Sequence, residues 1–341
     1  VPLPELTFRP LAGDLAALVA QVPAAAGVGQ LRGPGNHNLV LAPAGNLRKW
    51  AADHLGVGKP PPPGRRPRTN LAGVATSLGW ACTASPFGQR LLYERLIAPL
   101  VPLSRRRDLK PPAFLHIDPA DRFPRVTVRE GDGAAPALYG PFRHRRAAEE
   151  ARDAVNRLFP LRPCDAVFEP EPALPLGLGC LYAQVRSCAA PCLSRIGEED
   201  YRALAVRVAS WLAEPGTRVG APAVVPPTVE AVSQARAVVV GVGRREVELY
   251  PVCSGRVLEE AAVVTTAEGL EAAVAGLEWP QAHGPDDWPW LAAWITSARG
   301  RASYVSLRVR GGLVQALRAA LPERFAPSAP GDNVGASQGE A

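Results

Sequence analysis

Four of the six cysteines, Cys164, Cys180, Cys188 and Cys192, fall within 29 residues at a spacing of C-x15-C-x7-C-x3-C. In a reducing compartment, clustered cysteines are more often metal ligands than disulfides. Thiolates suit iron–sulfur clusters and zinc. Structural zinc sites usually offer a short C-x2–4-C pair at each end. Here only Cys188 and Cys192 are that close, and the first cysteine is distant. A cubane cluster tolerates such spacing, because its body sits between the ligands. The expected centre is an iron–sulfur cluster, with zinc as runner-up; the bland alternatives are two disulfides or buried apolar cysteines. Cys82 and Cys253 stand alone in strand-like contexts and read as core packing.

The second chemical signal is arginine. The chain of 341 residues carries a net charge of +6, and Lys49, Lys59 and Lys110 are its only lysines. The arginines cluster at Arg65-Arg66-Pro67-Arg68, Arg105-Arg106-Arg107 and Arg143-His144-Arg145-Arg146. Guanidinium groups match phosphate oxygens with two parallel hydrogen bonds, so a nucleic-acid partner is expected. A solvated arginine-rich surface is the competing reading. No apolar run reaches the length of a transmembrane helix, and Val1 to Pro10 lack the pattern of a signal peptide. The expectation is a cytoplasmic protein without membrane contact.

The elements that must position these residues read as α+β. Residues 14–22 carry an amphipathic helical period. Residues 27–31 and 38–42 form a strand–turn–strand pattern around Gly33-Pro34-Gly35-Asn36. Asn46 caps a helix to Leu55, and Ser85 caps a helix from Pro86 to about Ala98. Residues 56–68 are a basic, proline-rich loop. Strands follow at 78–83, 113–117 and 125–129, then a tight turn at Tyr139-Gly140-Pro141-Phe142. Helices at 146–158 and 198–212 bracket the cysteines. Strands at 238–242, 246–252 and 256–263, helices at 267–277 and 288–298 and a strand at 303–309 make a last unit.

Phe159-Pro160-Leu161-Arg162-Pro163-Cys164, with Cys180-Leu181 and Cys188-Ala189-Ala190-Pro191-Cys192, resembles the middle region of the UvrC family, the nuclease subunit of bacterial nucleotide excision repair. Phe123-Pro124-Arg125-Val126, Tyr139-Gly140-Pro141-Phe142 and the helix start Glu198-Glu199-Asp200-Tyr201 extend the resemblance, which covers about residues 14–212. It implies a 4Fe–4S cluster on the four cysteines. It also implies an upstream GIY-YIG nuclease domain, with the order hairpin, helix, strand, helix found here. The residues of that nuclease differ. The first tyrosine is replaced at Gly29, after Gly27-Val28; the second strand reads Val40-Leu41-Ala42-Pro43-Ala44, placing Val40 at the general-base tyrosine and Pro43 at the lysine. Trp50 stands at the catalytic arginine, and the metal-binding glutamate is kept as Glu94. Hydrolysis of a phosphodiester needs a base, a cation and a metal, which Val, Pro and Trp do not supply. Glu94 is thus either a catalytic residue holding Mg²⁺ or a solvated helix residue, and the nearby His54 and Arg48 are candidate substitutes.

The expected organisation is a degenerate GIY-YIG-like small sheet with helices at 14–110, a cysteine-cluster helical module at 111–212, a linker at 213–235, a small C-terminal α+β unit at 236–325 and a tail at 326–341. It resembles a short, Cho-like form of UvrC. The function expected is a DNA-repair protein that binds DNA, through Arg143, Arg145 and Arg146, and an iron–sulfur cluster, with its nuclease centre inactive. One alternative is an active, metal-dependent structure-specific endonuclease using Glu94. Another is a scaffold or regulatory module without DNA binding. The family's UVR helix is not found after the cluster, so contact with UvrB is not expected.

Overall fold

The computed structural model describes residues 1–58, 68–106, 109–118, 120–131, 137–173, 180–213, 230–231, 236–266, 268–279, 287–297, 300, 303–307 and 312–322. The fold is α+β, with three antiparallel sheets and helices between them.

The first sheet runs β1 (Thr7–Pro10), β4 (Ser77–Cys82), β2 (Gly27–Arg32), β3 (Asn38–Ala44). Strand alternation divides its faces. Leu31 and Leu78 point toward α1 (Leu15–Gln21) and α2 (Leu47–Leu55), in a core with Val19, Leu47, Trp50 and Leu55. Val28, Leu41 and Ala81 point the other way, onto Leu92 and Ile97 of α3 (Pro86–Ile97). The caps form as the sequence expects: Asn46 Oδ1 accepts from Lys49 N at 2.9 Å and Ser85 Oγ from Gly88 N at 3.0 Å. β1 has no counterpart among the expected elements. It adds to β4 by non-local pairing, with Phe8 lying over Gly79, where a Cβ would approach its ring to 2.4 Å.

The second sheet runs β6 (Val126–Glu130), β5 (Ala113–Ile117), β7 (Leu138–Phe142), β8 (Glu230–Ala231). Two expectations change here. Tyr139–Phe142 is not a tight turn but part of β7, every residue of which is buried. Burial between β5 and β8 outweighs the local turn preference of Gly-Pro. Glu230–Ala231, within the stretch expected to be a linker, pairs with Gly140 and Tyr139. One face of β5 (Ala113, Leu115, Ile117) packs against α4 (Arg145–Leu158) and α6 (Glu198–Ala213), while Phe114 on the other face joins the next core.

The third sheet runs β11 (Arg256–Val257), β10 (Val247–Cys253), β9 (Arg236–Val242), β13 (Tyr304–Ser306), with β12 (Ala262–Val264) also on β10. The single strand expected at 256–263 is thus two short ones. Helices α7 (Gly269–Ala275), α8 (Trp288–Ile295) and α9 (Leu313–Ala320) flank this sheet, α9 having no counterpart among the expected elements. This unit is bolted to the first through α3. Phe87 and Leu91 share a core with Tyr250, Trp288 and Trp290. Arg95 grips Asp287 with two hydrogen bonds of 2.5 and 2.9 Å. Asp287, 2% exposed, also accepts from Val257 N and Trp290 Nε1, each at 2.9 Å. Ser85 donates to Glu248 of β10 across the same junction.

Most of the loop expected at 56–68, most of the linker at 213–235 and the tail at 326–341 lie outside the described residues.

Candidate metal centre and nuclease-like face

The cysteine segment hangs between α4 and α6 and is drawn together by its backbone. Ala189 N donates to Pro160 O at 2.7 Å, and Glu171 N donates to Cys192 O at 2.9 Å. Cys180 opens the short α5 (Leu181–Gln184), its carbonyl accepting from Ala183 and Gln184. Leu161 before the loop and Ala190, Pro191 and Leu193 within it are buried. Arg186, Ala190 and Ser194 all adopt positive φ, near +55°. Side chains resist that region, so three such residues in one short stretch mark a backbone held by its surroundings.

All four cysteines are half-buried and none is in a disulfide. Burial pushes the Cys188 thiol up to about 11, with the thiols of Cys164, Cys192 and Cys180 adding to the rise. Burial, and then Cys180 and Cys164, also raise Cys192. Cys188 and Cys192 thus each feel the thiols of both Cys164 and Cys180. Against that, no group of three or more His, Cys, Asp or Glu among the described residues is arranged to hold a single metal ion. The two facts differ in range: Coulomb coupling acts over a wider separation than a bond to one ion. The donor set is all sulfur, and Cys188 Sγ accepts from Ala190 N at 3.3 Å. Such a set fits an iron–sulfur cluster, whose own body separates the ligands and whose sulfurs take backbone N–H bonds. A bound cation would reverse the thiol shifts, since a coordinating thiol is deprotonated.

The nuclease-like positions are divided by the first sheet. Gly29, Val40 and Trp50 lie on the face covered by α2. A Cβ at Gly29 would come within 2.4 Å of Trp50 Cζ3, so the indole occupies the space a side chain there would take. Trp50 Nε1 is buried with no hydrogen-bond partner among the described residues. Glu94 belongs to α3, on the opposite face. It is not solvated but 4% exposed, and Arg106, 7% exposed, donates to both its oxygens at 3.0 and 3.2 Å. Arg90 adds a third interaction at 2.6 Å. The Arg105–Arg107 run is thus not a uniform surface patch: Arg106 points inward. The substitutes are engaged as well. Arg48 Nε donates to Val22 O at 2.8 Å, and His54 Nδ1 bonds Trp50 O at 2.8 Å.

Arg143, Arg145 and Arg146 are exposed around the start of α4, which His144 caps through Ala147 N at 3.1 Å. Arg145 pairs with Glu149 and Arg146 with Glu150, while Arg143 has no ion-pair partner among the described residues. Of the remaining cysteines, Cys82 is exposed at the end of β4, not in the core, and Cys253 is half-buried.

Sequence reasoning misses the work of Arg162. It is 8% exposed and donates to Phe123 O at 2.7 Å, Ala166 O at 2.8 Å and Asp121 Oδ2 at 3.1 Å. Only its place two residues before Cys164 hints at a role. No helix is long and apolar enough to cross a membrane among the described residues.

Comparison with known proteins gives one consistent result. Residues 113–210 match the family described as UvrC/Cho excinuclease, middle domain. UvrABC system protein C of Corynebacterium diphtheriae is 30% identical over 215 residues, covering 61% of this chain and 29% of that protein. The Thermobifida fusca protein of the same name is 38% identical over 111 residues, covering 32% of this chain and 17% of its own. That of Alcanivorax borkumensis is 32% identical over 145 residues, covering 42% and 23%. The matches thus span less than a third of these relatives' length. No solved structure matches.

Proposed function

From the premise that this is a UvrC-like protein, we propose that it binds DNA and a 4Fe–4S cluster while its nuclease-like unit does not cut. The relatives' name, UvrABC system protein C, together with the resemblance to the repair nuclease, supports a role in nucleotide excision repair. The observation that carries the non-cutting reading is the Arg106–Glu94 pair. The one carboxylate retained from the nuclease pattern is neutralised by two guanidinium groups and belongs to α3, which packs on the sheet face opposite Trp50. A Mg²⁺ at Glu94 would have to displace both. The GIY-YIG fold of residues 14–110 stays part of this reading.

Cys164, Cys180, Cys188 and Cys192 would hold the cluster. When bound it cross-links four points of one loop, which restricts the unfolded chain as any cross-link does. The protein's part is to keep the thiols together and half-shielded. Anaerobic purification is expected to give a brown protein with about four irons per chain, lost in Cys188→Ser. A colourless protein carrying one zinc overturns the assignment.

The DNA face is assigned to Arg143, Arg145 and Arg146. Arg146 is 84% exposed at its side chain, and its ion pair is of the surface kind, worth about 0–1 kcal/mol. A phosphate can take such an arginine from its glutamate at little cost. Replacing all three by glutamine is expected to weaken duplex binding and to lower the salt slope by about 3, roughly one for each phosphate that is no longer neutralised. Binding without divalent cation and an absence of nicking on branched or damaged DNA complete the expected result. Cleavage that disappears in Glu94→Gln would establish the active endonuclease instead; flat binding curves at low salt would favour the scaffold.

A further inference from the structure

We propose that Arg162 and Tyr201 are positioning residues for the thiol loop, setting its shape before any metal arrives. The inference rests on the metal-centre reading above for its purpose, but on hydrogen bonds alone for its geometry.

Arg162 is the residue at which the segment ahead of β6, the cysteine loop and α6 meet. Its Nε donates to Phe123 O, ahead of β6, and its Nη2 to Asp121. Its Nη1 reaches into the cysteine loop, donating to Ala166 O at 2.8 Å and lying 3.4 Å from Cys164 O. The guanidinium also lies over the Phe168 ring, 5.4 Å from its centroid, and Phe168 stacks on Phe123. One planar group thus fixes the backbone on both sides of Cys164 to the segment just ahead of β6. A fork of fixed N–H directions does this; a lysine ammonium does not.

Tyr201 completes the clamp from α6. Its hydroxyl accepts from Arg162 N at 2.7 Å and donates to Pro124 O at 3.1 Å. The ring is fully buried in the core shared by α4, α6 and β5. The first thiol is therefore tied to the helix that follows the last one, across 39 residues of sequence. This bond substitutes for what a metal would otherwise have to do alone, which is to gather a loop whose ligands are far apart in sequence.

The test uses the full chain in a Cys82→Ser, Cys253→Ser background, so that only the four loop thiols report. In the metal-free form, their reaction with an aromatic disulfide reagent is followed well below the melting temperature. Tyr201→Phe and Arg162→Lys are expected to react about 5–30-fold faster than the parent, as a loop that has lost one or two kcal/mol of local restraint would. Leu204→Ala, which weakens the same core without touching the clamp, should keep the parent rate. In the metal-loaded form, Tyr201→Phe should lose its visible absorption to a chelator faster, with unchanged helix content. Parent rates in both Tyr201→Phe and Arg162→Lys overturn the proposal. A parent that carries no iron overturns the cluster reading alone, since the thiol kinetics still decide whether the clamp exists.

Discussion

Arg106→Ala is expected to destabilise the chain by about 3–5 kcal/mol, because it leaves a buried carboxylate without its principal partner. Glu94 sits on α3 with its two oxygens matched to the two terminal nitrogens of Arg106. Glu94 is 4% exposed, so the cost is mainly that of a charge held in a poor solvent. Arg90 remains at 2.6 Å, which places the effect at the lower end, ~3 kcal/mol. Glu94→Gln keeps a hydrogen-bonding oxygen and should cost less, about 1–3 kcal/mol. The double variant should then cost less than the sum of the two, by roughly 0.5–3 kcal/mol. Urea unfolding of the four proteins measures this. Additive losses would mean that the two groups do not act as a pair. No cleavage activity is expected to appear in Arg106→Ala, since freeing the carboxylate restores neither a base nor a cation at Val40 or Trp50.

Asp287→Ala is expected to be comparably severe, about 3–5 kcal/mol, and to loosen the third sheet from the first. The carboxylate is nearly inaccessible and accepts four hydrogen bonds: two from Arg95, one from Val257 N and one from Trp290 Nε1. Truncation leaves Val257 N and Trp290 Nε1 without their acceptor and removes the charge that holds Arg95, which keeps Glu259 and Val257 O. The loss should be local as well as global. Hydrogen exchange ought to quicken at Val257 and along the start of α8, and the environment of Trp288 and Trp290 should change in near-ultraviolet dichroism. Asp287→Asn keeps acceptors but loses the charge, so a smaller cost, about 1.5–3 kcal/mol, is expected. Wild-type stability in Asp287→Ala would mean that apolar packing of Phe87, Leu91 and Trp288 alone joins the units.

What is legible in the sequence varies with the range of the signal. Helix α2 is readable to the residue, since Asn46 starts it and Gly56, at φ +71°, stops it, and both signals act within a few residues. β5 and the middle of β9 are readable from their apolar runs. β7 is not, because Gly140-Pro141 is a turn signal locally, whereas its place between β5 and β8 is set by residues 22–29 and 90–92 positions away. β1 escapes for the same reason: Thr7–Pro10 has little strand character of its own and is a strand because β4 offers it an edge.

The site follows the same division. Residue type and spacing by themselves single out Cys164, Cys180, Cys188 and Cys192, while Gly29, Val40, Pro43 and Trp50 are marked only by the resemblance to the UvrC family. These are properties of single positions, and a thiol or an indole is the same group wherever the chain puts it. Only the tertiary structure decides that Trp50 fills the space over Gly29, that Arg106 turns inward to Glu94 while Arg146 stays in water, and that Arg162 is a clamp and not a surface cation. The reason is physical: an arginine's role is fixed by which acceptors share its burial, and burial belongs to the packing of distant segments, not to the residue.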